Sequence, residues 1–286
     1  MRLFPETKID FMKYRNYLIT ISLIVIAAGM ISLWVKGGPK IGVEFTGGTL
    51  LTVQFNEPQN FNELRNILAS SGLDNAVIQE YGTNGVAIRI PEFEAEPEGN
   101  LREALKGKNY EVLGVEGIGP QVSRSLQKKA WLAILIANAG ILAYVGYRFK
   151  PVWGLAGVVA LVHDVLVTVG FCSFFDKEIT LSVIAAFLTL IGFSINDTIV
   201  IYDRMRENLK LKKGLDFREI VNLSINQNLA RTALTSFTVF LVVVALFFLG
   251  GQVIHDFSFV FIIGIITGTY STVFIAAPII VSMEKG

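Results

Sequence analysis

The chain's 286 residues would suffice for one large or two ordinary soluble domains, but 52% are hydrophobic and only 17% charged, which argues against a purely soluble protein. A formal net charge of +1 leaves no general electrostatic case for nucleic-acid binding. With Cys172 as its only cysteine, the chain can form neither an internal disulfide framework nor a cysteine-rich metal site.

The first apolar block, Tyr17–Val35, follows Lys13 and Arg15 as a signal peptide would. Its run is longer than a signal h-region, however, and Lys36-Gly37-Gly38-Pro39 is a poor cleavage site, so it reads as an uncleaved membrane anchor. Five more blocks approach the ~20 apolar residues that cross a bilayer: Trp131–Tyr147, Val152–Phe175, Ile179–Tyr202, Ala233–Gly250 and Phe257–Met283.

Residues 36–129, between the first two blocks, carry 12 acidic and 10 basic side chains and read as a water-facing domain. Thr49–Phe55 alternates apolar and polar residues as a half-buried strand does. Phe61, Leu64, Ile67 and Leu68 recur at helical spacing, closing at Ser71-Gly72. Ala76–Glu80 and Val86–Ile90 flank Gly82-Thr83-Asn84-Gly85, a hairpin signal. A short helix, Leu101–Leu105, and a last strand, Tyr110–Val115, complete β-α-β-β-α-β, the order of a ferredoxin-like sandwich. Glu92, Glu94, Glu96 and Glu98, broken by Pro91 and Pro97, read as a solvated loop rather than a cation site, since nothing fixes them at metal-ligand spacing. The domain has neither a nucleophile–base pair nor a phosphate-cradling loop, so it reads as a binder or lever rather than an enzyme.

The fold class is therefore an α-helical polytopic membrane protein with six transmembrane helices and a small α+β ferredoxin-like outer domain between helices 1 and 2. Its expected parts are residues 1–35, residues 36–129, and residues 130–286 with a cytoplasmic loop over 203–231. Basic residues Arg2, Lys8, Lys13, Arg15, Arg148, Lys150, Arg204, Arg206, Lys210, Lys212, Lys213 and Arg218 fall on one side of the spans. By the positive-inside rule both termini are expected in the cytoplasm. Asp216-x-x-Glu219 resembles a capping box and predicts a short amphipathic helix along the inner surface.

Ionisable groups inside the spans carry the functional expectation. His163 and Asp164 lie near the middle of the third span. Ser194, Asn196 and Asp197 lie in the fourth, and Arg231 opens the fifth. Gln227, Arg231, Thr235 and Thr238 follow at i+4 and i+3, a polar stripe on one helix face. Asp197 and Arg231 are expected at comparable depth on antiparallel neighbours. Low dielectric favours a neutral carboxyl and a nearby guanidinium a charged one, which suits a proton-coupled machine. A static ion pair locking the helices is the competing reading. His163 and Asp164 point about 100° apart on their helix, so both cannot face one partner squarely. Gly264 and Gly268 form a small-xxx-small pair suited to close packing. Asp203, Arg204, Arg206 and Glu207 read as a solvated helix end with i+3 and i+4 pairs. An intramembrane protease is disfavoured for want of a placed serine nucleophile or second acidic motif.

Several segments resemble the SecF-type subunits of the SecD/SecF protein-export family, in the resistance-nodulation-division superfamily. They are Ile9-Asp10-Phe11-Met12-Lys13, Gly42-Val43-Glu44-Phe45-Thr46-Gly47-Gly48, Gly117-Ile118-Gly119-Pro120 and His163-Asp164-Val165. The most specific are Gly192 through Val200 with Asp203-Arg204, and Asn226-Gln227 through Arg231-Thr232. The family pattern after the first span usually has Asp where this chain has Glu44.

The resemblance implies a subunit that pairs with SecD in the bacterial inner (cytoplasmic) membrane. It further implies association with the SecY/SecE/SecG channel, with SecA and YajC-like small subunits beside it. Unfolded preprotein is the implied substrate and membrane lipid the surroundings. Protons are the implied coupling ion; no other cofactor or metal is expected. Asp197 and Arg231 match family residues associated with proton movement, together with an aspartate supplied by SecD. Protonation of Asp197 would loosen its link to Arg231 and tilt the helices joined to the outer domain, with Gly37-Gly38 and Gly47-Gly48 as hinges. The rival expectations are a self-contained proton-driven exporter of lipids or small molecules, and a scaffold of the translocon without proton movement.

Overall fold

The computed structural model describes residues 7–71, 73, 76–81, 84–91 and 97–284. Among the described residues, six helices are long and apolar enough to cross a membrane. The chain divides into two compact units, residues 1–40 with 133–286, and residues 41–132.

The second unit opens with a helical turn, α2 (Val43–Thr46), followed by β1 (Gly48–Phe55), α3 (Phe61–Ser70), β2 (Val77–Tyr81), β3 (Gly85–Ile90), α4 (Pro97–Ala104) and β4 (Tyr110–Ile118). The strands form one antiparallel sheet in the order β2-β3-β1-β4, which with two helices is the ferredoxin-like arrangement. Alternation along β1 and β3 sends Leu51, Val53, Phe55, Val86, Ile88 and Ile90 to one face. Leu64 and Leu68 of α3 and Leu101 of α4 share that core. Each such side chain adds roughly 1.5–3 kcal/mol by leaving water. Asn60 caps α3 by accepting from the Asn62 N–H at 3.0 Å. The expected acidic loop at 92, 94 and 96, together with Gly72, Gly82 and Thr83, lies outside the described residues.

The glycine motifs have a steric reason. Gly48 has φ of +110° and pairs with Ile118, and a Cβ there would meet the Ile90 carbonyl oxygen at 2.4 Å. Gly47, at φ +77°, faces the Ile118 oxygen and Pro120. Close approach and left-handed backbone therefore account for both residues. Gly42 precedes α2 and accepts from Phe45 and Thr46. The Phe45 ring is buried, and its carbonyl accepts from Ser123 Oγ and Gln127 Nε2. Glu44 stands in the first turn of α2. Burial, and then the charge of Glu44, raise the Glu116 carboxyl above its ordinary pKa.

The first unit holds α1 (Arg15–Val35), the greater part of α5 (Pro120–Arg148), α6 (Pro151–Phe174), α7 (Leu181–Leu211), α8 (Phe217–Leu249), α9 (Gly251–Ser271) and α10 (Ala277–Met283). A π turn over Thr272–Ala276 joins the last two. Pro278, which has no N–H to donate, follows this widened turn. The most apolar stretches of α6, α7 and the last span are at least half buried, against 6% for α5 and 11% for α1. The centre of the bundle is thus α6, α7 and α9.

Small residues let the helices meet. Gly29 of α1 and Gly170 of α6 touch backbone to backbone, so that a Cβ on Gly29 would lie 2.7 Å from the Gly170 Cα. A Cβ on Gly264 would reach Leu190 at 2.6 Å and one on Gly268 would reach Ser194 at 3.0 Å, consistent with the packing role expected of that pair.

Two expectations change. The capping box at Asp216 and Glu219 is present, but it opens no separate surface helix: α8 runs unbroken to Leu249, because no glycine or proline interrupts 217–249. Likewise α7 continues to Leu211, so only residues 212–216 within the expected 203–231 loop are non-helical. Arg204–Glu207 and Arg206–Asp203 pair at i+3 as expected, at 2.6 and 2.8 Å.

The N-terminal motif is tied to α8. Asp10 accepts from Asn222 at 2.7 Å and Arg218 at 3.4 Å, while Ile9 and Asn226 exchange two hydrogen bonds. At the other end of the bundle Lys36 and Lys40 reach Asp176 at 3.0 and 3.1 Å, and the Ile179 N–H donates to the Lys40 carbonyl at 2.7 Å. Hydrogen bonds from Lys36 and Lys40 hold the Asp176 carboxyl below its ordinary pKa, against a small opposing push from burial. With the folded pKa depressed, this latch contributes above the ordinary value and is lost as pH falls through the lowered one. Asp176 has φ of +54°, a conformation asparagine tolerates, so Asp176→Asn isolates the charge. The variant's thermal midpoint should lie below the parent's at neutral pH, and the gap should close as pH drops below the lowered pKa. A gap independent of pH would rule the latch out.

Candidate functional site

Polar side chains inside the bundle gather into two nodes. The first is Asp164, fully buried in the middle of α6. Its Oδ2 accepts from Ser194 Oγ of α7 at 2.6 Å and from Ser271 Oγ of α9 at 2.8 Å. Its Oδ1 meets His163 Nδ1 at 3.0 Å. The other ring nitrogen, Nε2, is hydrogen-bonded to Ser22 Oγ of α1. One donor direction satisfies the chain: Ser22 O–H to Nε2, and Nδ1–H to Asp164. Adjacent residues on one helix thus face different partners, Asp164 turning to α7 and α9 and His163 to α1. An ionised carboxylate is an acceptor only and has room for all three donors.

The order serine–histidine–aspartate matches hydrolytic triads, and Ser22 supplies the serine that the sequence reading did not find. Ser22 is only 4% exposed, in the seam between helices, where an acyl substrate and hydrolytic water have no approach. The arrangement positions helices; it does not present a nucleophile.

The second node is Asp197 on α7, 3% exposed. Its side-chain partner is Ser236 Oγ of α8 at 3.5 Å, a long contact. That hydroxyl also lies 2.9 Å from Thr269 Oγ1 of α9, and either oxygen can be the donor of that pair. Thr198, next along α7, meets Thr272 at 2.9 Å, at the start of the π turn. The nodes share α7 and α9: Ser194 and Asp197 are three residues apart, and Ser271 adjoins Thr272.

The expected link between Asp197 and Arg231 is not formed: no ion pair joins them among the described residues, and Arg231 lies on an exposed face of α8. The reason is helical phase. Ser236, which reaches Asp197, lies five residues after Arg231, about 140° around the helix and about 7.5 Å along it. Asn196 is exposed on α7, as are Gln227, Thr235 and Thr238 along the α8 stripe. Gln227 Oε1 accepts from Arg204 at 2.7 Å and Asn208 at 2.8 Å, joining α7 to α8. Thr235 donates within its own helix, to the Arg231 and Thr232 carbonyls.

Ser22, Ser236, Thr269, Ser271 and Thr272 were missed. The available signal was a hydroxyl within an otherwise apolar span, and each of these residues satisfies it.

The model for the C-terminal region of the SecD/SecF protein-export membrane proteins matches residues 99–286, and the SecD/SecF GG motif matches residues 31–59. The chain belongs to the SecD/SecF protein-export family. Protein translocase subunit SecF of Endomicrobium trichonymphae is 39% identical over 98% of this chain and 93% of its own length. The SecF of Desulfurispirillum indicum is 40% identical over 96% and 91%. Among solved structures, SecDF of Thermus thermophilus, titled a translocon-associated membrane protein, matches with a TM-score of 0.91 and 34% identity over 98% of this chain. SecDF in a super-membrane-facing form matches at 0.71 and 33%. The chain spans 39% of the length of each SecDF molecule.

Within the SecD/SecF family motifs, Gly47-Gly48 packs against Ile118 and Pro120, and His163-Asp164 and Ser194 meet in one buried node. Replacing Asp164 leaves three donors unanswered in a low-dielectric interior. Asp164→Ala should destabilise the bundle by about 2–5 kcal/mol, read as a lowered detergent-unfolding midpoint; a loss under about 0.5 kcal/mol would contradict the node.

Proposed function

We propose that this chain is the SecF half of a proton-driven accessory to the Sec channel in a bacterial inner membrane, with both termini in the cytoplasm. With SecD it uses the proton gradient to help draw unfolded preprotein from the SecY channel.

The observation that carries this reading is Asp197: buried, and met among the described residues by one hydroxyl at the long distance of 3.5 Å. Most of that carboxylate's lone pairs are left for a proton, a water or a partner's groups. Exposed Asn196, next to it on α7, and exposed Arg231 and Thr235 on the outward face of α8 are expensive to leave facing lipid. A second polytopic subunit covering that face would remove the cost and bring further polar groups to Asp197. SecD is the natural candidate, since the solved SecDF relatives are more than twice as long as this chain. In that assembly Arg231 answers to the seam rather than to Asp197 alone.

The energy scale is adequate. A membrane potential supplies about 2.3 kcal/mol per elementary charge per 100 mV. A few kcal/mol shifts a two-state helix arrangement by a factor of about 10².

Asp197→Asn keeps size and removes the titrating group. In energised vesicles holding the chain with SecD and the Sec channel, stimulation of export by the proton gradient should fall about tenfold or more. Undiminished stimulation would leave only the scaffold reading.

A further inference from the structure

The helix that leads into the α+β domain is held to the bundle in an unusual way. Only Ser22 and Gly29 of α1 are buried. Its contacts with α6 and α9 run in a single file. The Tyr270 hydroxyl donates to the Leu18 carbonyl at 2.6 Å, Ser22 meets His163, and Gly29 crosses Gly170. Ser32 Oγ then meets Ser173 Oγ at 2.8 Å, and Lys36 Nζ donates to the Ser173 carbonyl at 2.6 Å. Positions 18, 22, 29, 32 and 36 follow at steps of 4, 7, 3 and 4, which is one face of one helix. In lipid, apolar surface alone does not bind helix to helix, so this file of polar and glycine contacts specifies where α1 sits.

One of these contacts reaches the interior of the bundle. Ser22 bonds His163, His163 bonds Asp164, and Asp164 bonds Ser194 and Ser271. Ser194 lies one turn before Asp197, and Ser271 adjoins Thr272, which meets Thr198. A change in α7 or α9 that alters the donors on Asp164 therefore changes what His163 offers to α1. The other polar contacts in the file are made to backbone carbonyls or near the helix end, where Lys36 also reaches the exposed Asp176, and none of these hydrogen bonds goes to Asp164 or Asp197.

We propose that the Ser22–His163 hydrogen bond is the coupling contact of this protein: it carries rearrangement around the intramembrane carboxylates to α1, and α1 carries it to the domain that follows. His163 acts here as a positioning residue, through its two ring nitrogens, and Ser22 is its receiver on α1. The inference rests on the proton-coupled reading of Asp197 and adds the route by which that event leaves the bundle.

The test separates proton uptake from export in vesicles holding the full chain, SecD and the Sec channel. Ser22→Ala removes the receiver and leaves Asp164 its three donors. Proton uptake should persist while export per proton falls about fivefold or more, the lower end of ordinary coupling between sites. Ser22→Thr, which restores a hydroxyl, should recover most of the loss. Unchanged export per proton in Ser22→Ala overturns the proposal. So does loss of uptake together with export, which would put Ser22 in the proton path or in the packing, and so does failure of threonine to rescue. Asp197→Asn in parallel keeps the two claims apart: persistence of uptake in that variant defeats the proton reading, whatever Ser22→Ala does.

Discussion

A carboxylate sealed inside a helix bundle must be answered by donors, and Asp164 draws them from three helices at once. Much of the bundle's order follows from that demand. Helix α9 must come close enough for Ser271 to reach, which requires Gly264 and Gly268 where it passes Leu190 and Ser194. Helix α7 must turn Ser194 inward, which also turns Asp197 inward three residues later. Helix α6 must be central, and its most apolar stretch is over half buried. Breaking such a node leaves unpaired groups in low dielectric, a cost of several kcal/mol that apolar side chains in lipid cannot offset.

The two buried carboxylates differ in what surrounds them, and the difference suits two tasks. Asp164 has donors enough and holds helices in place. Asp197 has one long hydroxyl contact among the described residues, at 3.5 Å, and has exposed Asn196 next to it on α7, while exposed Arg231 lies on α8. A site that needs a second subunit to complete it can respond when that subunit moves. In the mechanism proposed above the energy then reaches the α+β domain through α1, whose polar contacts with the bundle lie along one face.

Much of this architecture was legible in the sequence. Long apolar blocks mark the spans, since nothing else uses about 20 such residues in a row. Alternation at Leu51, Val53 and Phe55 marks β1, because one face of a sheet is covered and the other is not. The site was less legible. Pairing Asp197 with Arg231 assumed a register and a helix rotation that only packing decides; a shift of five residues brings Ser236 to Asp197 instead. The importance of Asp164 was hidden because two of its three donors lie 30 and 107 residues away and are serines, common in any span. The long α8 was obscured by a genuine capping box followed by polar residues, a pattern that also describes a short surface helix.

The central claim is that Asp197 takes up and releases a proton as the membrane is energised, and infrared difference spectroscopy tests it most directly. With SecD present, imposing a proton gradient should produce a change in the protonated-carboxyl stretching band that vanishes in Asp197→Asn and survives in Ser22→Ala. A band that persists in Asp197→Asn, or one that does not respond to the gradient, would contradict the account.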